Sequence, residues 1–219
     1  CYTQGDIARQ VQAATTMLSI CGVNRAATVL LCGNFGDSRT LDLQYALESI
    51  GATVLPGNDG ERAAASRLME TAVPDTIIAW EHDLPALADV MGNLCVNRLI
   101  TVGNHPAPQT FVWEMAEHVA VRRAHLFAPA QMGALVGVTC SVGAGIHLEE
   151  RLFFAEVVDD TGRSSHADGA CGQLVLSTIT AEAMPILRYR TGISARLVRE
   201  KCGCGDVRLR VIEEKQHGR

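Results

Sequence analysis

Residues 172–197 read GQLVLSTITAEAMPILRYRTGISARL. Within this stretch, 173–178 and 187–197 have the β-branched and apolar content of strands. Around it, 136–140, 146–149, 152–158 and 207–212 also read as strands, separated by Gly and Asp turns. Asp159-Asp160-Thr161-Gly162 has hairpin chemistry. Helical periodicity is missing after Phe127, so this half is expected to be mostly antiparallel β.

The first half has a different rhythm. Ile7, Val11, Ala14 and Leu18 recur at helical spacing ahead of Gly22. The apolar run Ala27–Cys32 (ATVLLC) then ends at Gly33-Asn34, as a strand buried on both faces would. The alternation continues with helices at 41–50, 61–71, 84–91 and 108–119 and strands at 52–55, 75–80, 98–102 and 120–127. Crossovers of this length bring successive strands parallel. The expected fold class is α/β: a helix-covered, mostly parallel sheet over 1–130, then a smaller, mostly antiparallel β part over 131–219, sharing one core.

Composition narrows the function classes. The chain has 219 residues, 47% of them hydrophobic, so it can bury a substantial core. No apolar run reaches the ~18 residues of a membrane span, and no basic patch with an apolar run opens the sequence. The cytoplasm is therefore the expected location. Interspersed charges summing to −5, without aromatics among the basic residues, argue against nucleic acid as a partner. Arg188, Arg190, Arg196, Arg199, Lys201, Arg208 and Arg210 form a late basic cluster, expected on a solvated sheet face. Most of the eight cysteines are expected to be reduced, with Cys21, Cys32 and Cys95 as core positions.

Several motifs run in a family order. Gly172-Gln173-Leu174-Val175 is followed by Ala183-Met184-Pro185-Ile186-Leu187-Arg188-Tyr189-Arg190-Thr191-Gly192. Tyr2-Thr3-Gln4-Gly5-Asp6, Ile50-Gly51-Ala52-Thr53-Val54-Leu55-Pro56 and Glu61-Arg62 precede them. On these motifs the chain resembles the phenylacetate-CoA ligases of the adenylate-forming, AMP-binding superfamily. The resemblance implies the fold of their large domain, and activation of an acyl or aryl acid with ATP and magnesium.

It also assigns a nucleotide site with altered residues. Gly103, Asn104, His105 and Pro106 stand at the family's Gly-Ala-Glu-Pro adenine wall, with His105 in place of the acid. Phe127, Ala128, Pro129, Ala130 and Gln131 stand at Tyr-Gly-x-Ser-Glu, so the neutral amide of Gln131 occupies a magnesium-holding position. Ile193 replaces the acid that grips the ribose hydroxyls. The family's phosphate loop would lie before Cys1 and its lysine-bearing domain beyond Arg219, so the sequence is expected to be a core fragment. The expectation for ATP and magnesium is that this chain does not carry out adenylation alone.

A separate constellation needs no nucleotide. Cys140 and His147 flank a turn containing Gly143-Ala144-Gly145, and Cys202-Gly203-Cys204-Gly205 carries two thiols. Three thiolates and an imidazole make a closed tetrahedral set for structural zinc. The family resemblance agrees, since many such ligases carry Cys-x-Cys-Gly after the Arg-Tyr-Arg strand. Cys171 is an alternative ligand, and Glu149 or Glu150 is expected to orient His147. His82 and His105 are candidate acid–base groups, set against ordinary surface roles.

Two functions compete. One is an acid-activating CoA ligase whose remaining parts are supplied elsewhere, taking a small carboxylic acid or nucleotide. The other is a non-catalytic, zinc-stabilised binding or structural module on the same fold. A homo-oligomer is expected to cover exposed apolar surface.

Overall fold

A computed structural model describes residues 1–58, 67, 71–85, 87, 96–108, 114, 120–142 and 145–214. The helices expected at 61–71, 84–91 and 108–119 lie wholly or largely outside them, as do Cys95, Glu61, Arg62, Gly143 and Ala144.

Helix α1 (Gln4–Ile20) begins at a reciprocal cap. The Thr3 hydroxyl accepts the Asp6 amide and the Asp6 carboxylate accepts the Thr3 amide, each at 3.0 Å. Helix α2 (Ser38–Ile50) is capped by Asp37, which accepts the Arg39 amide at 2.9 Å. It stops at Gly51, whose φ of +82° suits only glycine without strain.

The strands are β1 (Thr28–Gly33), β2 (Thr53–Asn58), β3 (Thr76–Trp80), β4 (Val96–Gly103), β5 (Ala120–Phe127) and β6 (Gly137–Thr139). They continue with β7 (Ile146–Leu148), β8 (Phe153–Val158), β9 (Ser164–Ser165), β10 (Cys171–Thr178), β11 (Tyr189–Val198) and β12 (Arg210–Glu213). All join one 12-stranded sheet in the order β2-β1-β3-β4-β5-β6-β7-β12-β11-β10-β8-β9. The first five are parallel to their neighbours; from the β5–β6 pair onward every pairing is antiparallel. The expected α/β class, with parallel then antiparallel parts, is what the chain adopts. The pairing changes without breaking the sheet.

One apolar core serves both parts. Ala14, Met17, Leu18, Leu43 and Leu47 of the helices pack with Val29, Leu31, Ile78 and Leu126 of the parallel strands. The same cluster continues through Val138, Ile146, Leu174, Ala195 and Val211. Burial of this contiguous apolar area supplies the main favourable term in folding.

Local expectations are corrected at several points. The strand expected at 187–197 starts at Tyr189, after Arg188 takes a φ of +53° that breaks extension. The one expected at 207–212 starts at Arg210, because the Asp206 carboxylate accepts the Arg208 amide at 2.9 Å and bends the approach. Strand β9, two polar residues, carries no apolar alternation to announce it. Cys32 is buried as expected, whereas Cys21 is half-buried. The basic cluster is not a uniformly solvated face. Arg188, Arg196, Arg199 and Arg208 pair with Glu156, Glu214, Glu150 and Asp206, and Arg210 is buried.

Candidate functional site

Cys140 follows the end of β6, His147 sits in the middle of β7, and Cys202 and Cys204 occupy the connection from β11 to β12. The sheet order places β6, β7 and β12 side by side, so residues far apart in sequence meet. In register, His147 lies between Val138 of β6 and Arg210 of β12. Gly137 makes that approach possible: a Cβ there would lie 2.3 Å from the Ile146 side chain and 2.6 Å from the His147 carbonyl oxygen. The thiol-bearing turn closes on itself, the Gly205 amide donating to the Cys202 carbonyl at 2.9 Å and the Cys202 amide to the Asp206 carbonyl at 3.0 Å.

The four candidate ligand atoms all lie within 4.8 Å of one another. Cys140 Sγ is 3.7 Å from Cys202 Sγ, and Cys204 Sγ is 3.6 Å from His147 Nε2. Metal–sulfur bonds of ~2.3 Å and metal–nitrogen bonds of ~2.0–2.1 Å in a tetrahedron give edges of roughly 3.8 and 3.6 Å. Those two contacts therefore already have ligand-to-ligand spacing, and the group can hold a metal ion.

The surrounding chemistry agrees. His147 is fully buried, and burial lowers its pKa, favouring the neutral ring that ligates metal. Its Nδ1 is buried without a hydrogen-bond partner, 3.7 Å from Asp206 Oδ2. Asp206 is thus the carboxylate that faces the second ring nitrogen. The expectation that Glu149 or Glu150 orients His147 is overturned. Glu149 binds Arg151 at 2.6 Å, while Glu150 accepts the Leu209 amide at 2.8 Å and pairs with Arg199 at 3.2 Å. Both acids lie beyond the end of β7 at Leu148, where Arg151, Arg199 and the Leu209 amide take up their carboxylates. The backbone N–H of Cys204 lowers the Cys202 pKa. Cys171, the alternative ligand, is exposed and donates to the Gly169 carbonyl, outside the cluster.

A second site lies at the carboxyl ends of β4 and β5, where parallel sheets commonly place ligand crevices. Asn104, His105, Pro129, Ala130, Gln131, Tyr189, Thr191 and Ile193 line a cavity of about 240 Å³. The resemblance-derived residues Asn104, His105, Gln131 and Ile193 thus converge, although they come from three separate segments. Gly103, Pro106, Phe127 and Ala128 do not line it; they hold the frame. Phe127 and Ala128 are fully buried, and the Ala128 amide donates to the Gly103 carbonyl at 2.8 Å. Gly103 lets Glu81 and His125 close in, since a Cβ would lie 2.5 Å from Glu81 Oε2 and 2.9 Å from His125 Cε1. Pro106 lines a different, larger cavity.

Two framing residues escaped sequence reasoning. Arg39 crosses the Trp80 ring at 4.4 Å and donates to the Ala128 carbonyl at 2.6 Å, fixing the segment before Pro129. His125, fully buried in β5, donates from Nε2 to the His105 carbonyl at 2.8 Å, while its Nδ1 accepts the Thr101 hydroxyl at 2.7 Å. An isolated His in an apolar run gives no signal of either contact. His82 is mostly exposed beside Asp83 at 3.5 Å and touches neither site.

The chain is 26% identical over 207 residues to the phenylacetate-coenzyme A ligase of Escherichia coli (strain K12), spanning 90% of this chain and 47% of that protein. It is 28% identical over 222 residues to the enzyme of the same name from Thermus thermophilus, spanning 96% and 49%. The chain is phenylacetate-CoA ligase-like. It spans about half the length of the curated relatives it matches. No family model matches it.

Solved structures extend the likeness to the fold. An open conformation of 2-hydroxyisobutyryl-CoA ligase, in complex with 2-HIB-AMP and CoA, superposes with a TM-score of 0.83 at 17% identity, over 96% of this chain and 49% of that one. A long-chain-fatty-acid-CoA ligase from Archaeoglobus fulgidus gives 0.63 at 12% identity, over 94% and 47%. The ligase-like chain therefore has the fold of adenylate-forming CoA ligases. No described helix is long and apolar enough to cross a membrane.

Proposed function

We propose that this chain is the ligand-facing core of an acyl- or aryl-acid-activating, phenylacetate-CoA ligase-like protein. In this reading it holds a small carboxylic acid or a nucleotide, and does not perform ATP-dependent adenylation by itself. The observation that carries it is the lining of the 240 Å³ cavity. Gln131 and Ile193 share that cavity, and neither offers the charged oxygen that magnesium or a pair of ribose hydroxyls requires. Titrating the purified chain with ATP and magnesium in a calorimeter is expected to give no binding in the low micromolar range. A low-micromolar Kd for ATP would sink this reading.

The metal in the Cys140–His147–Cys202–Cys204 cluster is proposed to be a structural zinc ion. Sulfur-rich tetrahedral sets select zinc, and a fourth protein ligand leaves no open position for catalysis. Metal analysis is expected to find about one zinc per chain; a value near zero would remove it.

A second reading, a non-catalytic zinc-stabilised module, is favoured by the same two substitutions and by ligand spacings that are already near-tetrahedral. Acid activation measured on a complex supplying the remaining ligase parts separates the readings. Turnover supports the first, and its absence supports the second. A homodimer covering exposed Met184 and Leu187 is also proposed, and size-exclusion chromatography returning a clean monomer would refute it.

A further inference from the structure

One strand ends in both candidate sites. Arg210, first in β12, pairs with His147 in the cluster, and Val211 pairs with Ile146. Cys202 and Cys204 lie in the turn that leads into the same strand. At its other end, the Glu213 carboxylate reaches the turn that lines the cavity. Its Oε1 accepts His105 Nδ1 at 3.1 Å and its Oε2 accepts the Ala107 amide at 3.3 Å.

Those contacts settle how His105 is presented. A carboxylate accepts only, so Nδ1 carries the hydrogen and Nε2 is the ring atom left for a ligand. From behind, His125 holds the His105 carbonyl at 2.8 Å. The ring is therefore aimed from the β12 side and its backbone fixed from the β5 side. Strand β12 is four residues long, and its neighbour β7 is three. All four residues of β12 pair with β11, but on the other side only Arg210 and Val211 meet β7, so on that side the strand is fastened chiefly by the Cys/His cluster at its end.

We propose that Glu213 is the positioning residue of the His105-lined cavity, and that metal held by Cys140, His147, Cys202 and Cys204 sets it through β12. This rests on the metal reading above. With metal bound, β7 and β12 are clamped and Glu213 holds the 105–107 turn in the shape described. Without metal, β12 slackens, Glu213 releases Ala107 and His105, and the cavity loses its imidazole wall.

The test is amide hydrogen exchange at Ala107, with the nitrogen-15 spectrum of the His105 ring, on the zinc-loaded chain, the chelator-treated chain and Glu213→Ala. Glu213→Ala is expected to speed Ala107 exchange about tenfold with zinc content unchanged. Chelation is expected to give the same change in the parent chain and no further change in Glu213→Ala, with strand β1 still protected. Zinc that binds and is removed with Ala107 and His105 unmoved would overturn the linkage while leaving the metal reading intact. No zinc binding at all would overturn the metal reading and the linkage with it. Chelation that speeds exchange in β1 by as large a factor as at Ala107 would show a global support, and would also overturn the linkage.

Discussion

Asp6 accepts the backbone N–H of Glu182, 176 residues away, at 2.9 Å. The same carboxylate takes the Ala183 amide at 3.1 Å and Arg9 at 2.8 Å while capping its own helix. Asp6 is buried, so its removal would leave several donors without an acceptor. Asp6→Ala is expected to cost about 2 kcal/mol by denaturant unfolding. The Thr3 amide most of all, then those of Glu182 and Ala183, hold its pKa well below the ordinary carboxylate value of 3.8. The folded state thus prefers the ionised form. Its contribution is complete above the unfolded pKa and declines as pH falls beneath about 4, a loss that Asp6→Asn should not show.

His125 sets a second pH dependence. Burial pushes its pKa from 6.5 down to about 4, so the unfolded chain takes up a proton that the folded chain refuses. That stability is fully present above about pH 6.5 and is lost as pH falls toward 4, amounting to roughly 3 kcal/mol across the window. His125→Leu should flatten this part of the pH–stability curve. It should also destabilise by about 2 kcal/mol at neutral pH, since the Thr101 hydroxyl and His105 carbonyl lose their partner.

Removing the metal should destabilise the chain measurably. At a free zinc concentration ~1,000 times Kd, binding contributes about 4 kcal/mol, or roughly 8–16 °C in Tm for a chain of this size. Cys202→Ser and a chelator should each lower Tm by that order in differential scanning calorimetry. Cys171→Ser, outside the cluster, should leave it unchanged.

Putting the two acids back tests the proposed cavity directly. The double variant Gln131→Glu with Ile193→Asp should tighten nucleotide binding at least tenfold in calorimetry with magnesium. Ile193 is buried, so the introduced carboxylate should also cost about 2 kcal/mol without ligand. An unchanged nucleotide affinity in the folded variant would show that this cavity is not where a nucleotide binds.

Most of the architecture was legible because burial imposes periods on sequence. The run forming β3 is buried throughout and that forming β1 at every residue after Thr28, and α1 and α2 carry their own caps. The Cys/His cluster was legible because thiols and imidazole are rare enough to stand out. What faces them was not. Asp206 reaches His147 through a turn, where no period fixes direction, whereas Glu149 and Glu150 were nearer in sequence and wrongly preferred. His125 and Arg39 stayed hidden because their partners are backbone carbonyls, which every residue possesses.

The position of β12 has a consequence for how the protein is made. It alone joins β7 to β11, and so links the strands from β2 to β7 with those from β11 to β9. Yet it comes last in sequence among the described strands. Until a ribosome has delivered residues 210–213, β7 and β11 present unpaired edges, the type of surface that invites pairing with another nascent chain. Cys202 and Cys204 emerge just ahead of that strand, so an ion captured there would already have drawn the closing segment toward His147.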